Sequence, residues 1–165
     1  LNQRNETLKE SSRLASIDDL EILTFLREEA ILEVKSKRGG KVLLNLNSFS
    51  EDSKENFSYW FNSSDHCIFT GLFGDAVVAY GVLEFSTTND TQRIASIKEI
   101  FVLEDARSVG VGESVIQSMI KEAIRHNAVG IDSFALPGDR ETKNFFETQG
   151  MVARLIHVYR PLESN

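Results

Sequence analysis

Apolar residues return every three or four positions from Ile17 to Val34, through Leu20, Ile22, Leu23, Leu26, Ala30 and Ile31. That period lines up one face of an α-helix. Ser16 stands where an N-cap is needed, and Arg38-Gly39-Gly40 supplies the stop. The pattern then shortens. Val42, Leu43, Leu44 and Leu46 predict a short strand or extended segment, and residues 50–62, with Phe57, Trp60 and Phe61, predict a second helix capped by Ser50. Residues 67–73 and 76–85 are rich in β-branched and aromatic types on either side of Gly74-Asp75, which predicts a hairpin. A polar break over 87–92 precedes a strand over 94–103. Ile116, Met119, Ile120, Ala123 and Ile124 then mark one face of a helix. A strand over 131–136 ends at Pro137-Gly138, a helix over 139–149 closes at Gly150, and residues 152–160 predict a final strand.

The strand-helix-strand run requires a parallel pairing, whereas the hairpin is antiparallel. The expected fold is therefore α/β, a mixed twisted β-sheet flanked by helices. Residues 1–13 are polar and read as a loose leader, with one domain over 14–162. At 165 residues and 41% hydrophobic the chain can bury one real core. Its 18 basic and 25 acidic residues, net charge -7, disfavour nucleic acid and anionic membranes as partners. No apolar run is long enough to span a bilayer. One cysteine, Cys67, excludes an internal disulfide and suits a reducing cytoplasm.

One stretch carries chemistry. Arg107-Ser108-Val109-Gly110-Val111-Gly112 lies between a strand and a helix, where glycines let an anion approach free backbone N–H groups at a helix start. Arg107 can add a charge-assisted contact. The turn is not a P-loop, because no Lys-Ser or Lys-Thr pair follows Gly112. It is not a dinucleotide fingerprint either, because Val115 occupies the third glycine position.

Arg-x-x-Gly-x-Gly in this context resembles the acyl-CoA signature of the GNAT superfamily of N-acyltransferases. A second segment, Asn144-Phe145-Phe146-Glu147-Thr148-Gln149-Gly150-Met151, is similar to that family's Phe-Tyr-x-x-x-Gly-Phe segment. The element order from Cys67 to Arg160 fits as well, and the first helices fit more loosely. The resemblance implies acetyl-CoA as acyl donor and no metal. It implies that the backbone of Phe101 and Val102 hydrogen-bonds the pantetheine arm like an added strand. The N–H groups of Arg107, Ser108, Val109, Gly110, Val111 and Gly112 would then hold the pyrophosphate. It also implies a bulge in the central strand that parts it from its neighbour, with Asn144 and Phe146 approaching the thioester end.

Transfer of an acyl group to an amine needs a proton acceptor and a polarised carbonyl. Glu99 is the first candidate base. In an unbroken strand it falls on the face of Ala95, Ile97, Phe101 and Leu103, interrupting an apolar row where a carboxylate is poised to take an amine proton. A bulge would instead turn it to solvent or into a salt bridge with Lys98 or Arg93. Glu84 and Glu104 are weaker alternatives. Phe146 stands where many members of the superfamily carry a tyrosine that protonates the departing thiolate, and Asp139, read first as an N-cap, stands where many carry asparagine. Tyr80 and Tyr159 are the other candidate acids, and both fit core positions equally. His66 beside Cys67, and His126 and His157 without spaced partners, predict no metal site, and Cys67 reads as core. The function implied is an N-acetyltransferase acting on a primary amine of a small molecule or a protein, the acidic chain mildly favouring a cationic acceptor. The alternative is a non-catalytic acyl-CoA-binding or sensing module. A monomer and a homodimer are both compatible with the sequence.

Overall fold

The computed structural model describes residues 9–46 and 51–162. Five strands form one sheet in the order β1-β2-β3-β4-β5: β1 (Glu10–Leu14), β2 (His66–Phe73), β3 (Ala76–Thr87), β4 (Arg93–Val102) and β5 (Ile131–Asp132). The first four pair antiparallel, and β4 and β5 pair parallel. The sheet is mixed and flanked by helices, as the hydrophobic pattern predicts.

Alternation along the strands divides the core in two. Phe69, Ala79, Leu83, Phe85, Ala95 and Ile97 face α4 (Val111–Arg125), packing on Val115, Ile116 and Met119, with Phe146 of α5 (Arg140–Thr148) closing the same cluster. Ile68, Tyr80 and Val82 face the other way, onto Leu23 and Leu26 of α1 (Leu20–Ser36) and Phe57 and Trp60 of α3 (Ser53–Asn62). Helix α3 is capped by Asp52, whose side chain accepts from the Glu55 N–H at 2.9 Å. The expected cap, Ser50, lies outside the described residues.

Three expectations are corrected. Residues 10–13, the end of the stretch read as a loose leader, join Leu14 in β1, registered from Glu10↔Phe73 to Leu14↔Phe69. The Ser12 hydroxyl donates to the Ser114 carbonyl of α4 at 2.7 Å, so long-range contacts order a polar segment that has no local signal. Val42 to Leu46 are not extended: they belong to helix α2 (Gly40–Leu46), which begins with the Leu43 N–H donating to the Gly39 carbonyl at 2.9 Å. A short apolar run has too few residues for its period to separate helix from strand. Residues 152–160 form no strand. Leu155 is 90% and Ile156 84% exposed, and β5, the last strand of the sheet, is only two residues long.

Candidate active site

The site begins with an irregularity in β4. Val82 pairs with Glu99 and Leu83 with Ile97, leaving Lys98 as an extra residue on β4. A bulge of this kind bends the strand and shifts the alternation by one. Ala95 and Ile97 point into the α4 core, and past the bulge Ile100 and Val102 do so instead. Phe101 and Leu103 pack on the α1 and α3 side. Glu99 shares that second face, opposite to Ala95 and Ile97, contrary to the row assigned it from simple alternation.

There it meets Arg27, and not Lys98 or Arg93. The Arg27 Nε–H donates to both Glu99 oxygens, at 3.1 and 3.0 Å, and the Tyr80 hydroxyl donates to Oε2 at 2.7 Å. Arg27 is 2% exposed, bonded also to Ser53 Oγ and lying 5.5 Å from the Trp60 ring centroid. Burial, then the Glu99 charge beside it, pushes the Tyr80 phenol well above its ordinary range. A signal for Arg27 was present in the sequence. It lies four residues after Leu23 and four before Ile31, on the buried stripe of the first helix. Glu84 is engaged by Lys98 at 3.0 Å and His66 at 3.4 Å, and Glu104 is exposed on the single turn before the glycines. Neither lines the cavity described next.

Strand β5 accompanies β4 only at Ala95↔Ile131 and Ser96↔Asp132, followed by one side-chain bond from Ser133 Oγ to the Ile97 carbonyl at 3.1 Å. Beyond that point the two chains part. Between them opens a cavity of about 520 Å³, walled by Ile100, Phe101 and Val102 on one side and by Ser133 to Leu136 on the other. Tyr80 and Glu99 form part of its wall, Ile31, Val34, Leu43 and Leu44 come from α1 and α2, and Phe145 and Phe146 come from α5.

At its end lies the glycine turn. Ser108 and Gly110 have φ of 65° and 88°, the left-handed region, and helix α4 starts at Val111. The first N–H groups of a helix have no intrahelical partner, and Gly110 has no side chain to cap them. They remain open to water or a ligand. Ser108, Gly110 and Gly112 line the cavity, whereas the other two expected members, Val109 and Val111, do not: Val111 is buried in the core and Val109 is 40% exposed. A Cβ on Gly112 would come within 3.2 Å of Val102 Cγ2 and 3.4 Å of Phe145 Cε2, so the glycine keeps this cradle open. The Arg107 N–H is excluded from the cradle, being bonded to the Glu104 carbonyl at 3.1 Å.

The Arg107 side chain has internal partners too. Its Nε–H donates to the Val102 carbonyl at 3.1 Å, and its guanidinium pairs with Glu33 of α1. Glu33 also binds Lys37 at 2.8 Å, and Lys37 binds Asp139 at 2.8 Å, so a chain of charges links α1 to the start of α5 across the cavity. Burial opposes ionisation of Glu33, but Lys37 and Arg107 outweigh it and hold its carboxyl below the usual range. Asp139 is likewise held low against burial, by Lys37 and the Thr142 N–H it caps, and Lys37 is raised against burial by Asp139 and Glu33. Asn144 is exposed on α5 and does not line the cavity; its neighbours Phe145 and Phe146 do. Tyr159 lies on the exposed C-terminal segment, 59% exposed.

Residues 38–151 match the family model described as the acetyltransferase (GNAT) family. The chain belongs to that family. No curated protein matches it in sequence. Among solved structures, this GNAT domain is similar to a mutant of the BH1408 protein of Bacillus halodurans, with a TM-score of 0.77 at 17% identity over 92% of this chain and 99% of that one. It is also similar to aminoglycoside N-acetyltransferase AAC(6')-Iy, determined in complex with CoA, with a TM-score of 0.73 at 14% identity over 98% and 99% of the two chains. The aminoglycoside acetyltransferase meta-AAC0020 from an uncultured soil metagenomic sample gives 0.68 at 15% identity over 93% and 97%. At such identities the likeness establishes the fold. Among the described residues no helix is long and apolar enough to cross a membrane.

Proposed function

We propose that this GNAT protein is an N-acetyltransferase that moves the acetyl group of acetyl-CoA to a primary amine of a small molecule or a protein. The observation that carries the reading is a single cavity joining the open edge of β4, the uncapped start of α4 and the Glu99 carboxylate. Past Ser96 the edge of β4 has no strand partner, which suits an extended amide-bearing arm added along Phe101 and Val102 as a strand is, with Arg107 giving up the Val102 carbonyl it holds at 3.1 Å. The cradle from Ser108 to Gly112 suits a pyrophosphate. Acetyl-CoA supplies the activated thioester.

The chain's own residues supply the rest. Glu99 is fixed by two donors and remains partly open, its side chain 20% exposed. It can bind the ammonium form of the acceptor and take its proton, directly or through one water. Phe146 has no proton to give the departing thiol, and Tyr80, the tyrosine on the cavity wall, donates to Glu99. Water therefore protonates the thiolate. Glu113 and Glu141 on the cavity wall, with a net charge of -7, favour a cationic acceptor, and two of the similar structures are aminoglycoside acetyltransferases. A reducing cytoplasm, which keeps Cys67 a thiol, is the location that fits.

A second reading, an acyl-CoA-binding or sensing module without turnover, is favoured by the clamp of Arg27 and Tyr80 on Glu99 together with Phe146. Calorimetry with acetyl-CoA and a thiol-release assay over a panel of amines separate the two. Saturable binding with CoA release is expected. Glu99→Gln should lower turnover about 100-fold with cofactor affinity unchanged, the usual size of a lost general base. Unchanged turnover would remove Glu99 from the mechanism, binding without release across the panel would support the sensor, and no binding at millimolar acetyl-CoA would overturn both readings.

A further inference from the structure

Helix α4 buries Val115, Ile116, Met119 and Ala123 against the sheet, and among them it also buries Glu122, 8% exposed. Glu122 follows Met119 by three positions and Val115 by seven, so the sequence itself places a carboxylate on the apolar stripe. A buried carboxylate requires a compensating charge. One turn on, His126 Nε2 lies 3.0 Å from Glu122 Oε1, and across the gap to β2 the Cys67 thiol lies 4.0 Å from the same oxygen. Arg125 also reaches that oxygen, at 3.0 Å, from a side chain 71% exposed. The His126 ring is stacked on Phe85, with centroids 4.4 Å apart, which fixes its plane. The thiol, carboxylate and imidazole donors all lie within 4.8 Å of one another, and none of the three residues lines the acyl cavity.

We propose that Cys67, Glu122 and His126 bind a zinc ion that fastens the C-terminal half of α4 to β2. Sulfur, nitrogen and carboxylate oxygen are the donor types zinc takes, and the sulfur-nitrogen pair disfavours calcium and magnesium. Ligand atoms around tetrahedral zinc stand about 3.5 Å apart, so the His126–Glu122 pair opens by about 0.5 Å while the Cys67 sulfur closes in by on the order of 1 Å. Arg125 swings into solvent, where most of its side chain already is. Binding converts the Cys67 thiol to a thiolate, and its proton leaves to the buffer. Thiolate and carboxylate together neutralise the ion. Cys67 and His126 are only half-buried, which leaves the fourth position to water.

Because Cys67 is the sole cysteine in 165 residues, a sulfur-to-metal signal can arise from no other thiol. Titration of the reduced, chelator-treated full chain with Co²⁺ should give a thiolate-to-cobalt charge-transfer band that saturates at one equivalent. Zn²⁺ should abolish the band, release one proton per ion and raise the melting temperature. Cys67→Ser should remove the band, and Glu122→Gln and His126→Gln should each weaken Zn²⁺ binding at least tenfold. Absence of the band from the unsubstituted protein overturns the proposal without recourse to any variant. So does stoichiometric Zn²⁺ binding that survives Cys67→Ser and His126→Gln, since the ion would then sit elsewhere.

Discussion

The two ends of β4 obey different rules. From Arg93 to Ile97 the strand has neighbours on both sides and drives Ala95 and Ile97, at most 1% exposed, into the α4 core. From Lys98 to Val102 it keeps β3 but loses β5, and every residue is half-buried. One extra residue and one short neighbour separate the two regimes. The first half is held by apolar packing against α4. The second is held by hydrogen bonds and ion pairs around an open edge, so it can present backbone groups and a carboxylate to a ligand while the first half keeps the sheet intact.

The largest expected effect comes from removing the ion pair that anchors the open half. Arg27→Ala leaves the Glu99 carboxylate with Tyr80 alone, and breaking a buried pair on one side costs about 3 kcal/mol. Urea denaturation should show that loss, and adding Glu99→Gln to the same chain should restore part of it, because no charge is then stranded. A double variant as unstable as Arg27→Ala would mean that the arginine acts through packing on Trp60 and not through the carboxylate.

Deletion of Lys98 tests the bulge itself. The flanking residues keep their faces in a regular strand, so stability should change little, whereas the bend that parts β4 from β5 is lost. Acetyl-CoA affinity should fall at least tenfold, about 1.4 kcal/mol. Unaltered affinity would show that the short β5 alone opens the slot.

The smallest effect concerns acid. Glu33 and Asp139 have folded-state pKa values below their unfolded ones. Their contribution is complete above the unfolded carboxylate range of about 4 and is lost as pH falls through the lower folded values. Lys37 is raised, so its share is present below about pH 10 and is lost only as pH climbs through its higher folded value. Glu33→Gln should therefore flatten the acid limb of a stability-pH curve while costing roughly 0.5–1 kcal/mol at neutral pH, the scale of a partly exposed pair. An acid limb identical to that of the parent chain would show that the charges across the cavity add nothing to the fold.

Much of this molecule is legible in its residue pattern, for identifiable reasons. Helix α1, the β2–β3 hairpin, β4, α4 and α5 each carry a period long enough to be unambiguous, or a glycine where the backbone needs positive φ, as at Gly74 with φ 61°. The turn before α4 is legible because its signal is local: Gly110 with φ 88° and a helix that starts at Val111. What could not be read depends on partners far along the chain. Strand β1 exists because β2 and α4 accept it, and residues 152–160 are strand-like in composition yet unpaired. Glu99 changed face through one bulge, and its partner Arg27 lies 72 residues away. The motif alone offers Arg107 to a phosphate, whereas in the fold its guanidinium is engaged by Glu33 and its N–H by the Glu104 carbonyl.

The sequence by itself determined the family, the sheet's main strands and the position of the glycine turn before α4, since these follow from periodicity and from short runs of neighbouring residues. Only the tertiary structure decided which way Glu99 points, what holds it, and how far β5 follows β4. Those depend on register and on contacts between distant segments, and a single inserted residue in a strand reverses them without altering the pattern on either side.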